Sequence, residues 1–213
     1  MLILVFDTET NNLINKPALT HDEFYIVQLS WIVYNTKTTQ KSENDIILKI
    51  PLPITNSHIH GITNSMSQLG YPFEEIIDIF MDDVQTSDLI VGHNLQYDLN
   101  ALEIELDRYH LYDYIDMLYN KKHYDTMLSS VNLLKIPGKY GRYKYPKLCE
   151  LYQHFYGCHF ENQHNSLYDV RATLDCFVYL QSDRSYFKKI ISTAGIPAFG
   201  KKVIEQVGDE IVQ

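Results

Sequence analysis

The first fifty residues alternate short apolar runs with polar turns, the pattern of strands rather than helices. Leu2–Phe6 is continuously apolar, which predicts a central strand covered on both faces. Tyr25–Tyr34 (YIVQLSWIVY) is rich in aromatic and β-branched residues, and Ile46–Ile50 is a shorter run stopped by Pro51-Leu52-Pro53. Polar turns between these three segments predict an antiparallel meander. The period then changes. After Pro72, the residues Phe73, Ile76, Ile77, Phe80, Met81 and Val84 recur at helical spacing and define one apolar face. Leu89–Val91 reads as a short strand that runs through Gly92-His93 into a helix striped by Leu95, Leu99, Leu102 and Leu106, with Asn94 as its N-cap. A last long helix follows Asn165-Ser166 and is expected to bury Leu167, Val170, Leu174, Phe177 and Val178. Strands first and strand–helix alternation afterwards define an α/β chain with helices packed on a mixed sheet. One domain is expected over residues 1–182. Residues 183–213 read as a short helix and tail packed on that same domain.

Composition narrows the class. With 213 residues, 45% hydrophobic and 21% charged, the chain can bury a core without disulfides or a structural metal. No apolar stretch approaches the roughly 18–20 residues that span a bilayer, so no membrane partner is expected. Cys149, Cys158 and Cys176 are an odd set without metal-ligand spacing, which fits reduced thiols in a cytoplasmic protein. A net charge of −9 excludes a protein that coats nucleic acid through a global positive field, but not one that grips a strand end locally. Between Lys135 and Lys147 the sign reverses. Lys135, Lys139, Arg142, Lys144 and Lys147 occur there without an acid, interleaved with Tyr140, Tyr143 and Tyr145. Cations beside aromatic faces suit a single nucleic-acid strand; a solvated loop would read the same way.

The candidate chemistry lies in carboxylates. Asp7 and Glu9 end the first strand, and side-chain alternation puts both on one face about 6.5–7 Å apart at the backbone. They either share a cation or turn separately into solvent. Asp98 falls one turn after Asn94, where an acid also suits the helix dipole. Asp169 follows Ser166 in a capping-box-like pattern, and His164 five residues before it would then be an ordinary loop histidine. Each acid, however, sits at a strand end or helix start, where distant segments converge at one edge of a sheet. Four hard oxygen donors suit Mg²⁺ or Mn²⁺ rather than zinc.

In order and spacing, FDTETNNL (Asp7-Thr8-Glu9), HNLQYD (His93–Asp98) and HNSLYD (His164–Asp169) resemble the three motifs of the DEDDh, DnaQ-like exonucleases. That resemblance implies a ribonuclease H-like fold: a central mixed five-stranded sheet, its first three strands antiparallel, with helices on both faces. It implies metal-dependent 3′→5′ hydrolysis of phosphodiester bonds, favouring single-stranded DNA, with nucleoside 5′-monophosphates as products. Asp7, Glu9, Asp98 and Asp169 would hold two Mg²⁺ (or Mn²⁺) ions, and His164 would be the general base. Weaker matches place Thr8, Thr10, Leu13, His60, Ile62 and Asn94 near the terminal nucleotide, and Lys139, Arg142 and Lys144 are added from the basic stretch. Asp125-Thr126 resembles a structural element closing the last strand, and Ser166 stands where the family commonly has alanine. The nearest rival is an exoribonuclease, which needs a contact to the 2′-OH. An aspartate-nucleophile phosphatase leaves His93, Asp98, His164 and Asp169 unexplained. A non-catalytic polymerase-associated module would lack one of the acids, and none is missing. Without a polymerase domain in the sequence, any proofreading partner would act in trans.

Overall fold

Leu2–Thr10 forms the central strand, β1, and its neighbours follow from how its side chains alternate. The computed structural model describes residues 1–12 and 23–182. β2 (Ile26–Asn35) pairs antiparallel with β1, and β3 (Lys41–Ile47) pairs antiparallel with β2. The short helices α1 (Ser57–His60) and α2 (Asn64–Gln68) and the longer α3 (Phe73–Thr86) lead to β4 (Leu89–Gly92), parallel to β1. Helices α4 (Leu95–Arg108) and α5 (Tyr112–Asn120) lead to β5 (Lys122–Asp125), parallel to β4; α6 (Thr126–Leu134), α7 (Leu148–Tyr156) and α8 (Ser166–Ser182) follow. The sheet order is β3-β2-β1-β4-β5, the mixed five-stranded arrangement with an antiparallel first half that the sequence predicts.

Period-two alternation divides the core in two. Leu4 and Phe6 of β1 join Leu29 and Trp31 of β2 on one face, where Phe80 and Met81 of α3 and Leu99 and Leu102 of α4 cover them. Ile3 and Val5, with Ile32, Leu89 and Val91, face the other way onto Val170, Leu174 and Phe177 of α8. A sheet covered on both faces explains why β1 carries no polar residue before Asp7.

Three expectations are corrected. The third strand is Lys41–Ile47, not Ile46–Ile50. As an edge strand it needs only one partner and tolerates charge, so Lys41, Glu43 and Asp45 belong to it while Ile50 packs with Val27, Ile54 and Ile62 in a separate cluster. On α8, Val178 is exposed, and Cys176 and Leu180 fill the buried face instead. The Asn94 side chain does not cap α4: Asn94 is left-handed with φ 66°, and the cap comes from Asp125 as described below. The helix and tail expected over 183–213 lie outside the described residues.

Phe80 is fully buried and meets Phe6 and Trp31 edge-on, with ring centroids 5.5 and 5.3 Å away. Phe80→Ala should therefore cost about 3–5 kcal/mol in urea unfolding. A loss near the roughly 0.5 kcal/mol typical of surface changes would contradict this packing.

Candidate active site

β1 runs past the end of β4: their pairing stops at Val5–Val91. The Thr8 N–H beyond that point has no strand partner on the β4 side, and the Asp98 carboxylate of α4 accepts it at 2.9 Å. The Thr8 hydroxyl donates to the same oxygen at 2.7 Å. Thr8, expected beside the substrate, thus faces Asp98, and Asp98, which as a first-turn acid could equally have stood in solvent, is buried.

The third segment is fastened to the same strand. The Ser166 hydroxyl donates to the Asp7 carbonyl at 2.9 Å, and the Ser166 N–H donates to Gln28 Oε1 at 3.3 Å. The Gln28 amide donates in turn to Asp45 at 2.7 Å, and Ser30 donates to that oxygen at 2.8 Å. A polar line through the sheet, from the β3 edge to the start of α8, sets where Asp169 stands. Asp169 accepts the backbone N–H of His164 at 3.1 Å and so fixes the loop carrying that histidine. His164 is exposed, with a left-handed backbone (φ 65°).

Asp7, Glu9 and Asp169 each bring an oxygen to within 4.8 Å of the other two. Asp98 stands outside that trio yet close enough to act on it. Burial, then the charges of Asp98, Asp169 and Glu9, hold the Asp7 carboxyl well above its ordinary value. Burial and the charges of Asp169 and Asp98 push Glu9 up to about 8. Desolvation lifts Asp98 to about 7 against its two bonds from Thr8, and lifts Asp169 to about 7 against the His164 N–H. Among the described residues, every charged group acting on Asp7 and Glu9 is another acid. Crowded carboxylates without a cation fit divalent metal: hard oxygen donors, close together, at the strand ends. Asp7, Glu9 and Asp169 would hold such an ion, and Asp98 would add a fourth donor from outside that trio.

The remaining candidates divide. Asp125 accepts from the Asn94 and Leu95 N–H groups, both at 3.1 Å, and from Met127 and Leu128 at 2.8 and 3.2 Å. One carboxylate caps the starts of α4 and α6, the structural role expected of Asp125-Thr126. His93 is a strut: its Nε2–H donates to the Pro146 carbonyl at 3.0 Å and its Nδ1 lies 2.9 Å from the Thr126 hydroxyl. Desolvation lowers its pKa to about 4, so it stays neutral. His60 is buried, with Nδ1 accepting from Ile62 N–H at 3.1 Å and Nε2 meeting Asn56 Oδ1 at 3.2 Å. Asn56 donates to the Thr10 carbonyl at 2.7 Å, so His60-Gly61-Ile62 is tied to the end of β1, with the Ile62 side chain in the core. The Thr10 hydroxyl donates to the Asn12 carbonyl at 2.6 Å and lies 3.0 Å from the Tyr97 hydroxyl. Leu13 falls outside the described residues. Lys139 and Arg142 are exposed at the turn of a hairpin, whereas Lys144 is ion-paired with Glu150 at 2.5 Å. Sequence reasoning missed Gln28, Asp45 and the Ser166 hydroxyl bond. The only signal was a pair of polar residues, Gln28 and Ser30, inside an otherwise apolar strand.

Comparison with known proteins identifies the family and the fold. The family model RNase_T, described as exonuclease, matches residues 4–177, and the chain belongs to that family. No curated protein sequence matches it. The fold is that of the ribonuclease H-like exonucleases. The nuclease domain of 3′hExo, a DEDDh family member bound to rAMP, superposes with a TM-score of 0.66 at 16% identity over 86% of this chain and 92% of that one. E. coli Exonuclease I in complex with a dA16 oligonucleotide gives 0.64 at 16% identity, over 88% of this chain and 43% of that one. A 3′-exonuclease that recognises the histone mRNA stem-loop gives 0.64 at 14% identity, over 86% of this chain; this chain spans 64% of its length.

The acids also set a pH dependence. A carboxyl whose folded pKa lies above its unfolded value stabilises the fold only while protonated, so stability is lost as pH rises through the folded pKa. For Asp98, Asp169 and Glu9, lifted to about 7, 7 and 8, that loss begins near the unfolded value of about 4 and is complete once pH passes 7 to 8. His93, lowered to about 4, works in the opposite direction between about pH 4 and 6.5 and is neutral in both states only above that, so the acids alone set the slope above pH 6.5. In chelator, the thermal midpoint should fall from pH 6.5 to 8 and level off above that, and Mg²⁺ should restore most of the loss. A midpoint independent of pH and of Mg²⁺ would mean that the acids are not crowded.

Proposed function

We propose that the protein is a metal-dependent 3′→5′ exonuclease acting on single-stranded nucleic acid. The observation that carries this reading is the convergence of Asp7, Glu9 and Asp169, with Asp98 held beside them, in the fold of an exonuclease family. DNA is the proposed substrate and RNA ends the alternative, since the similar structures include one holding a dA16 oligonucleotide and one bound to rAMP. The four acids would hold divalent ions, two by the count of donors, as Mg²⁺ or Mn²⁺. Bound there, the ions would polarise the scissile phosphate and lower the pKa of a water. His164 would take the proton from that water. Its exposed position on a loop fixed through Asp169 leaves the ring free to approach an incoming 3′ end. Asp98, pinned by Thr8, would keep the end of β1 from splaying as the charges titrate. The enzyme could act alone or beside a polymerase supplied in trans.

Asp7→Ala should abolish cleavage. His164→Ala should lower the rate by about 10²–10⁴-fold while sparing metal binding. Matched 5′-labelled DNA and RNA strands, incubated with Mg²⁺, Mn²⁺ or chelator, report polarity, metal need and sugar preference together. Single-nucleotide ladders that shorten from the 3′ end only with metal are expected; cleavage in chelator, or full activity in His164→Ala, would refute the mechanism.

A further inference from the structure

The basic, tyrosine-rich segment is an ordered hairpin with an unusual tip. Gly138 N–H donates to the Arg142 carbonyl at 2.8 Å and Lys144 N–H donates to the Ile136 carbonyl at 3.0 Å, with Pro137 bridged to Tyr143. At the turn Arg142 N–H donates to the Lys139 carbonyl at 3.2 Å, and the two central residues, Tyr140 and Gly141, both have positive φ (57° and 70°). This is the type I′ geometry that favours Asn-Gly, because a bulky residue at the first position is strained. Tyr140 occupies it with its side chain 97% exposed. Gly138 is required where the strands cross: a Cβ there would lie 2.8 Å from the Arg142 carbonyl oxygen. Tyr143 and Tyr145 are also exposed, at 47% and 64%. Two residues apart in extended chain, they share one side and are separated by about 7 Å. Lys139 and Arg142 flank them without an ion-pair partner among the described residues, and the rest of the chain is acidic.

The hairpin's position is set by the sheet. β4 and β5 run parallel to β1, so Gly92 and Asp125 end at the edge that carries Asp7 and Glu9. The His93 strut, directly after β4, holds Pro146 at that edge. His93 follows β4, the neighbour of β1, and its other ring nitrogen meets Thr126 just after β5, so the hairpin base stands beside the ends of β4 and β5. A dinucleotide at the carboxylates would fall short of the tip, and a longer strand would reach it.

We propose that Tyr140, Tyr143 and Tyr145, flanked by Lys139 and Arg142, form a stacking guide for single-stranded nucleic acid upstream of the 3′ terminus. Aromatic faces engage unpaired bases of any sequence, and the cations follow the phosphates. A duplex hides its base faces and offers only backbone charge. The proposal rests on the exonuclease reading for the direction of the strand, but the guide is tested without cleavage.

The test is fluorescence anisotropy in chelator with 5′-labelled dT2, dT12 and a blunt 12-base-pair duplex. Wild-type protein should bind dT12 far more tightly than dT2 or the duplex. The Tyr140→Ala/Tyr143→Ala/Tyr145→Ala variant should lose at least about tenfold in affinity for dT12, the size of one stacked base, with its salt slope unchanged. The corresponding triple Phe variant should bind like wild type, which separates stacking from misfolding. Lys139→Ala/Arg142→Ala should flatten the salt slope by about 1.4, two contacts at roughly 0.7 each. Undiminished dT12 binding by the Ala variant, or a Phe variant as weak as the Ala variant, overturns the proposal. Equal binding of duplex and dT12 overturns it too, and dT12 no tighter than dT2 leaves the surface to a protein partner. Cleavage of a dinucleotide by wild type in Mg²⁺ tests the exonuclease reading separately. Length-dependent binding without cleavage in any metal would sink that reading and leave the guide standing.

Discussion

Four carboxylates are held together at the end of one buried strand against their mutual repulsion. Asp7 and Glu9 share a face of β1, Asp169 is brought to them and Asp98 stands beside them, and the charges of the other acids hold the Asp7 and Glu9 carboxyls up. Left to themselves, such groups would turn outward into water or stay protonated. The structure prevents the first by fastening the backbone that carries them. Thr8 gives both its N–H and its hydroxyl to Asp98, Ser166 gives its hydroxyl to the Asp7 carbonyl, and His164 gives its N–H to Asp169. Three chain segments far apart in sequence are thereby closed around one point.

That closure depends on an otherwise conventional scaffold. The sheet is buried on both faces, so β1 cannot shift register without moving its whole apolar set. Gln28 and Ser30, inside the sheet, meet Asp45 on the edge strand and pass the constraint on to the start of α8. At the other side Asp125 fixes the start of α4, the helix that carries Asp98. Catalytic geometry of this kind is built from rigid elements supported by a second layer of hydrogen bonds, and here that layer runs largely through buried polar residues.

Much of this was legible in the sequence. β1, β2, α3, α4 and α8 follow from runs and periods strong enough to survive tertiary context. The acids were located by their position at strand ends and helix starts, and the motif order indicated that they converge. What was hidden is pairwise and distant. Ser166 reads as a helix cap but bonds β1; Asn94 reads as a cap but yields to Asp125, which is 31 residues away. β3 is displaced because an edge strand need not be apolar, and α5 and α7, at nine residues each, are too short for their period to stand out. His60 and Ile62, read as neighbours of a substrate, are also tied to each other and, through Asn56, to the Thr10 carbonyl at the end of β1.

Calorimetric titration of the metal-free protein with Mn²⁺ at pH 7 tests most directly whether the crowded acids bind divalent metal. Because Glu9, Asp98 and Asp169 lie at about 8, 7 and 7, binding should release protons, seen as a heat that varies with the ionisation enthalpy of the buffer. Saturable binding with proton release, lost in Asp7→Asn, is the predicted result. No binding, or binding that is undiminished and proton-neutral in Asp7→Asn, would contradict it.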